Sequence, residues 1–272
     1  MTAASDTAPA PRDSRFSVPT IGLSKMRLVQ LLGLGIFLLI WQAVGSQTPF
    51  LYSTPFIVLQ DMIELFLEDD AILLILATLS SLLVGLAIAI ALGVVVGTLL
   101  GRYRWFSVMF EPYFTALYSV PRVAFVPLMV VWFGIGREFV IASVVAACMI
   151  LIVFATAAGV RETIRVYSEV ATSLRITGVQ FFKGILIPGS VPFIATGVRL
   201  AVQRGTVAVI VGEFLIGVKP EGIGQMLRVA RVEAQADRMF STAIVAMLVG
   251  VLLFLITGYV ERRLSEWRPK SF

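Results

Sequence analysis

The sequence predicts an all-α membrane protein with six transmembrane helices, and three observations carry that reading. The chain is 58% hydrophobic and only 14% charged, with a mean hydropathy of +0.93, whereas soluble domains carry about 25% charged residues. Several apolar runs reach the roughly 20 residues that a helix needs to cross a bilayer core about 30 Å thick. Lys and Arg fall in short clusters between those runs, the pattern that orients membrane helices. No stretch is polar enough for a second folded domain. Residues 28–265 are therefore expected to form one membrane domain between two cytoplasmic tails, 1–27 and 266–272.

Residues 1 to about 24 are rich in Ala, Ser, Thr and Pro, a composition that stays disordered. The first span, about 28–45, follows at once. Ala43-Val44-Gly45 loosely resembles a signal-peptide cleavage site, but the polar segment before the run is too extended for a simple n-region, so a retained span is expected. Residues 47–70 mix Pro49 and Pro55 with Asp61, Glu64, Glu68, Asp69 and Asp70. The second span, about 71–101, would be roughly 45 Å long, so it must tilt or project beyond the lipid. It carries Gly85, Ala89, Gly93, Gly97 and Gly101 at every fourth position. In lipid such a stripe marks close helix–helix approach, either within the bundle or between two copies.

A third span, about 106–133, contains Pro112, Pro121 and Pro127, which kink or break a helix. The fourth covers about 139–159, the fifth about 192–217 and the sixth about 240–259. A polar stretch at 161–183 and a loop with a short helix at 218–239 separate them. With a cytoplasmic N-terminus, fourteen Lys and Arg residues fall on the cytoplasmic side. Five fall on the other: Arg137, Lys219, Arg228, Arg231 and Arg238. This bias places both termini in the cytoplasm.

Composition also excludes function classes. Histidine is absent and Cys148 is the only cysteine, so an intrachain disulfide is impossible and haem, zinc or iron–sulfur sites lack their usual ligands. Cys148 lies in an apolar run and reads as a small buried residue. The net charge of +5 comes without a basic stripe interleaved with aromatics, so no nucleic-acid partner is expected. Nothing resembles GxxxxGK[ST]; if the process is driven by ATP, another polypeptide hydrolyses it. A membrane enzyme would need clustered His, Cys or carboxylates. A secondary transporter would show an internal repeat and a midplane ion site, and no convincing repeat is present.

Two groups of residues are candidates for a translocation pathway. Broken helices are tolerated in membranes where they pack on protein or line a water-filled cavity, which singles out Pro121, Arg122 and Pro127; an ordinary kinked span is the alternative. Ionisable groups inside apolar spans are functional candidates by default, which singles out Arg199, Arg204 and Glu213, with Gln203 beside them. Arg199 and Glu213 fall within about 40° of one helical face. Alternatively, the arginines snorkel or pair with carbonyls.

The segment 161–190 is the most informative. Val170, Ala171 and Leu174 lie on one face of an expected short helix, Glu169, Thr172 and Arg175 elsewhere, and Gly178 can end that helix. Pro188 leads into the fifth span. A short amphipathic helix between two spans can dock in a groove of a soluble partner or lie on lipid.

Glu169-Val170-Ala171, with Gly178 following and Ile187-Pro188 beyond, resembles the "EAA" loop of ABC importer permeases. Ser119-Val120-Pro121 through Val126-Pro127, Trp132-Phe133-Gly134-Ile135-Gly136, Gly197-Val198-Arg199-Leu200 through Arg204 to Val211-Gly212-Glu213, and Gly222-Ile223-Gly224 are similar to the nitrate/sulfonate/taurine branch of that family. The likeness covers about residues 70–265. The commonest form of the loop has Ala at 170 and Gly at 175, where this chain has Val170 and Arg175.

The resemblance implies a non-catalytic, multi-pass permease subunit of the cell inner membrane that carries no cofactor itself. It implies coupling to two ABC ATPase subunits, which hold ATP and Mg, through Glu169, Val170, Ala171, Leu174, Arg175, Gly178 and Pro188. A second permease copy and a soluble substrate-binding protein complete the expected assembly in the lipid bilayer. The branch implies a small solute, most often a sulfonate-, taurine- or nitrate-type anion, with thiamine- or riboflavin-precursor solutes as the alternative.

Overall fold

Small residues let three long helices pack almost backbone to backbone, and the rest of the chain is arranged around them. The structure, a computed structural model, describes residues 23–47, 53–67, 71–216 and 222–265. The two expected tails beyond these limits, Glu68, Asp69, Asp70 and Lys219 lie outside the described residues. The described residues form helices α1 (Leu23–Gln47), α2 (Pro55–Leu67), α3 (Ala71–Arg102), α4 (Arg104–Ser119), α5 (Val126–Phe133), α6 (Arg137–Ser173), α7 (Gly178–Phe181), α8 (Ile187–Ile216), α9 (Ile223–Val232) and α10 (Ala236–Leu264).

α3, α6 and α8 build the core. The small-residue stripe of α3 faces α6: a β-carbon on Gly97 would lie 2.6 Å from both Thr156 Cβ and the Val153 carbonyl oxygen, and one on Gly85 would lie 2.7 Å from Val144 Cβ. Ala89 is fully buried in the same seam. The stripe is thus consumed inside the chain, which overturns its alternative reading as a contact between copies. Leu82, Val144, Cys148, Ile152, Ala201 and Val209 fill the space where the three helices meet. Cys148 lies fully buried there, its thiol on the Ala201 carbonyl.

Five helical stretches among the described residues are long and apolar enough to cross a membrane: Arg27–Gln47, Ala71–Arg102, Arg137–Ser173, Gly178–Leu215 and Ala236–Leu264. The expected third span is not one helix. α4 ends at Ser119, the chain extends through Val120, a 3-10 turn covers Arg122–Phe125, and α5 runs from Val126 to Phe133. Pro121 sits at the break, where its missing N–H and fixed φ end helical bonding. Pro127 sits in the first turn of α5, where no donor is required. Phe106, Phe110 and Phe114 hold α4 against Leu100, Val153 and Ala157. Val126, Met129 and Val130 fold α5 back onto the main core.

The fourth span and the expected short amphipathic helix are one continuous rod. α6 runs without interruption from Arg137 to Ser173, about 55 Å at 1.5 Å per residue. This corrects two boundaries: the segment from 161 onward is the projecting end of α6, and Gly178 does not end it. The stop is Arg175, in the left-handed region at φ 50°. There Ile176 N–H donates to the Ala171 carbonyl and Arg175 N–H to the Thr172 carbonyl, the double bond of a Schellman cap. Gly178 instead opens α7, after Thr177 and Gln180 close a reciprocal capping box. The helix then passes through a π turn, Phe182–Leu186, into α8. That wider turn precedes Pro188, whose ring would otherwise press on the preceding turn.

Arg175→Gly should therefore stabilise the cap by about 0.5–1 kcal/mol, since glycine occupies the left-handed region without a β-carbon clash. A raised midpoint of thermal denaturation in detergent is the expected readout.

α10 closes the bundle beside α8, with α2 and α9 against it. Leu65, Ile223 and Val245 share one apolar cluster. Asp61 of α2 accepts from Ser241 and pairs with Arg238 of α10 at 3.4 Å. α1 exposes most of its apolar side chains. Its Trp41 indole donates to the Ser53 carbonyl at 2.8 Å and stacks near Phe240.

Candidate functional site

The α6–α8 hairpin carries the first group of candidates. Gly101 of α3 meets Val160 of α6 where α3 ends, so α6 projects thirteen residues further, roughly 20 Å. On that projection Ala171 is buried, while Val170 is 56% and Leu174 68% exposed. The sequence grouped Val170, Ala171 and Leu174 on one face; the structure keeps Val170 and Leu174 together, one turn apart on the open side, and turns Ala171 inward. Val179 of α7, 67% exposed, adds a third apolar side chain. Glu169, Arg175 and Gly178 are also exposed. Two caps, Schellman and capping box, fix the backbone between the helices. The result is a capped tip with an exposed apolar surface, suited to a partner's groove or to lipid.

The second group lies along α8. Gln203 and Arg204 are exposed, together with Leu200, Val207 and Val211. Arg204 stands twelve residues from the end of α8, about 18 Å, and makes no hydrogen bond or ion pair with any described residue. An arginine in an apolar helix either faces a water-filled space, meets a partner beyond this protomer or snorkels to the membrane–water boundary.

Arg199 and Glu213 are differently placed. Arg199 donates to Glu261 of α10 at 2.7 Å and lies 4.6 Å from the centre of the Phe254 ring. Thr196 donates to the other oxygen of that carboxylate at 2.6 Å. This clamp joins α8 to α10.

Glu213 is buried at the start of α9. Its carboxylate accepts from Thr78 Oγ1 and from Gly224 N–H, each at 2.9 Å, while Ile223 N–H donates to Thr78 Oγ1 at 2.9 Å. A remote carboxylate and hydroxyl thus satisfy the amides that a helix start leaves open. Gly222 and Gly224 permit the approach: a β-carbon on Gly224 would lie 2.2 Å from the Ile210 carbonyl oxygen. Glu213→Ala should destabilise the chain by about 2 kcal/mol through these stranded donors, measurable as a lowered denaturation midpoint. The side chain of Arg122 lies outside the described residues, and Pro121 and Pro127 mark the α4–α5 break.

Sequence reading missed a polar stripe on α4. Ser107, Glu111, Thr115 and Ser119 follow each other at intervals of four and line a groove with Pro112 and Ala116. Glu111 accepts from Ser107 at 2.5 Å and pairs with Arg161 of α6 at 2.6 Å. Both partners of that pair are more than a third exposed, so it contributes below about 1 kcal/mol. The signal was available as a period-four run of Ser, Glu, Thr and Ser within an apolar span.

Residues 89–266 match the family described as binding-protein-dependent transport system inner membrane component. The chain belongs to that family. A probable ABC transporter permease protein of Haemophilus influenzae is 27% identical over 249 residues, 88% of this chain and 98% of its own. The putative aliphatic sulfonates transport permease protein of Escherichia coli is 30% identical over 61% of this chain and 62% of its own. The riboflavin transport system permease protein RibX of Chloroflexus aurantiacus is 29% identical over 93% of this chain and 92% of its own.

As an ABC importer permease, the chain is a non-catalytic inner-membrane subunit. ATP hydrolysis belongs to a separate ATPase subunit, and a binding protein supplies the solute. The unaided secondary transporter weighed from the sequence is thereby set aside.

Proposed function

We propose that this permease imports a small organic anion of the sulfonate type, with Arg204 and Gln203 of α8 facing its path. The observation that carries the reading is Arg204, which pairs with none of the described residues and lies on the open face of an apolar helix. Such a cation gives an anion a favourable potential where water is scarce. The relative that transports aliphatic sulfonates supports the class. The Pro121–Arg122–Pro127 break interrupts the expected third span, and broken helices are tolerated where they pack on protein or line a water-filled cavity, which supports a place for it beside the same path.

The assembly we propose has two permease copies, two ATPase subunits and one binding protein. Each copy crosses the membrane six times, α4, the 3-10 turn and α5 together making the third crossing, with both termini cytoplasmic. Glu169, Val170, Ala171, Leu174, Arg175, Gly178 and Pro188 form or support the ATPase-docking tip. Closure of the ATPases would move the two tips and rock the bundles between inward- and outward-facing states.

A second reading rests on one finding: the riboflavin relative matches nearly the whole chain, which favours an aromatic heterocycle as solute. Uptake into proteoliposomes holding the permease, its ATPase and its binding protein separates the two. Arg204→Ala should reduce sulfonate uptake at least tenfold while leaving assembly unchanged. Unaltered sulfonate uptake, or uptake of flavin alone, would overturn the anion reading.

A further inference from the structure

Between α3 and α8, at the end of the bundle from which the hairpin projects, lies a cleft of 430 Å³. Its walls are Val94, Leu99, Leu186, Ile187 and Ile194, with Thr98 and Ser190 among them. Both hydroxyls are turned onto their own helices: Thr98 donates to the Val94 carbonyl at 2.7 Å and Ser190 to the Leu186 carbonyl at 2.7 Å. The wall therefore offers no free donor to a polar solute. Arg102 and Tyr103 stand at the end of α3 and Phe182 at the opposite wall. Lys183, next to Phe182, is exposed. Among the described residues no carboxylate lines the cleft.

This is an apolar slot with a cationic, aromatic end. From Arg102 to Val94 it extends about 12 Å along α3, the distance from headgroup level into the acyl region of one leaflet. Arginine, lysine and tyrosine at a helix end sit at the membrane–water boundary. Basic pockets between spans on that side hold anionic headgroups.

The geometry points to a bound anionic phospholipid, its phosphate at Arg102 with Lys183 nearby and an acyl chain between α3 and α8. The basic N-terminal segment, with Arg12 and Arg15, has the wrong charge for this end of the cleft. A lipid meets both requirements at once: long apolar surface and negative head. The lipid would wedge α3 from α8 just below the hairpin, where packing is otherwise open.

The test is native mass spectrometry of the full-length chain in detergent, titrated with phosphatidylglycerol and with phosphatidylcholine of identical acyl chains. Phosphatidylglycerol should bind about fivefold more tightly for each basic group it engages. Arg102→Gln with Lys183→Gln should remove that preference. Thr98→Phe, which fills the slot, should lower binding of both lipids. Equal binding of the two lipids to the wild-type chain would overturn the proposal without recourse to any variant, and is the expected result if a second copy or the transported solute occupies the cleft. A preference that survives both the charge and the cleft substitutions would equally overturn it.

Discussion

Valine at Gly97 is expected to destabilise the permease by about 3 kcal/mol or more, and to leave little folded chain recoverable from membranes. The first new carbon alone would stand 2.6 Å from the Val153 carbonyl oxygen and from Thr156 Cβ. Backbone cannot rotate aside as a flexible side chain can. α3 must therefore shift away from α6, opening the seam at Gly93 and Gly101 as well. Over-packing in a dense core costs about 1–3 kcal/mol even where side chains can adjust. Gly33→Val, on α1 where a β-carbon meets nothing within 4 Å, should leave recovery unchanged and provides the control. Recovery measured by fluorescence-detected size exclusion decides the matter: equal yields for both variants would mean that α3 and α6 do not pack as described.

Leu174→Asp is expected to abolish ATP-driven uptake while leaving the membrane bundle intact. Leu174 is 68% exposed at the hairpin tip, so the change disturbs no packing within the chain. At a partner interface it would place a charge where an apolar side chain is covered. Central apolar anchors of this kind account for about 2 kcal/mol or more, equivalent to roughly thirtyfold in affinity. The ATPase should be lost on co-purification with Leu174→Asp and with Glu169→Lys, and retained with Thr172→Ala. Retention of the ATPase and of full uptake in Leu174→Asp would remove the tip from the coupling scheme.

Much of this could be read from composition and spacing. The period-four run of small residues on α3 announced a tight helix contact, because in lipid only close approach supplies packing of that kind. Which helix it met could not be read, since Val144, Ile152 and Thr156 look like any apolar span. Proline at 121 announced a break in the expected third span, but the 3-10 turn and short α5 that follow depend on packing against distant residues. Arg199 and Glu213 share a face in projection, yet Glu261 and Thr78 lie 62 and 135 residues away, and no local pattern names such partners. The end of α6 was misread for a different reason. Glycine is the residue expected at a helix stop, and this chain stops α6 on Arg175 and α9 on Ala234 instead, both left-handed.

α6 has no proline, no π turn and no 3-10 turn between Arg137 and Ser173. Its neighbour across the hairpin has a π turn, with Pro188 and Pro192 close behind. A shaft of about 55 Å without such a break converts a tilt of about 10° into a displacement of roughly 10 Å at its far end. The other arm can flex at its π turn while the tip moves. On the proposed docking of the ATPase, force applied at the tip would be delivered along one unbroken lever to the far end of α6, while the arm with the π turn keeps the two helices of the hairpin in step.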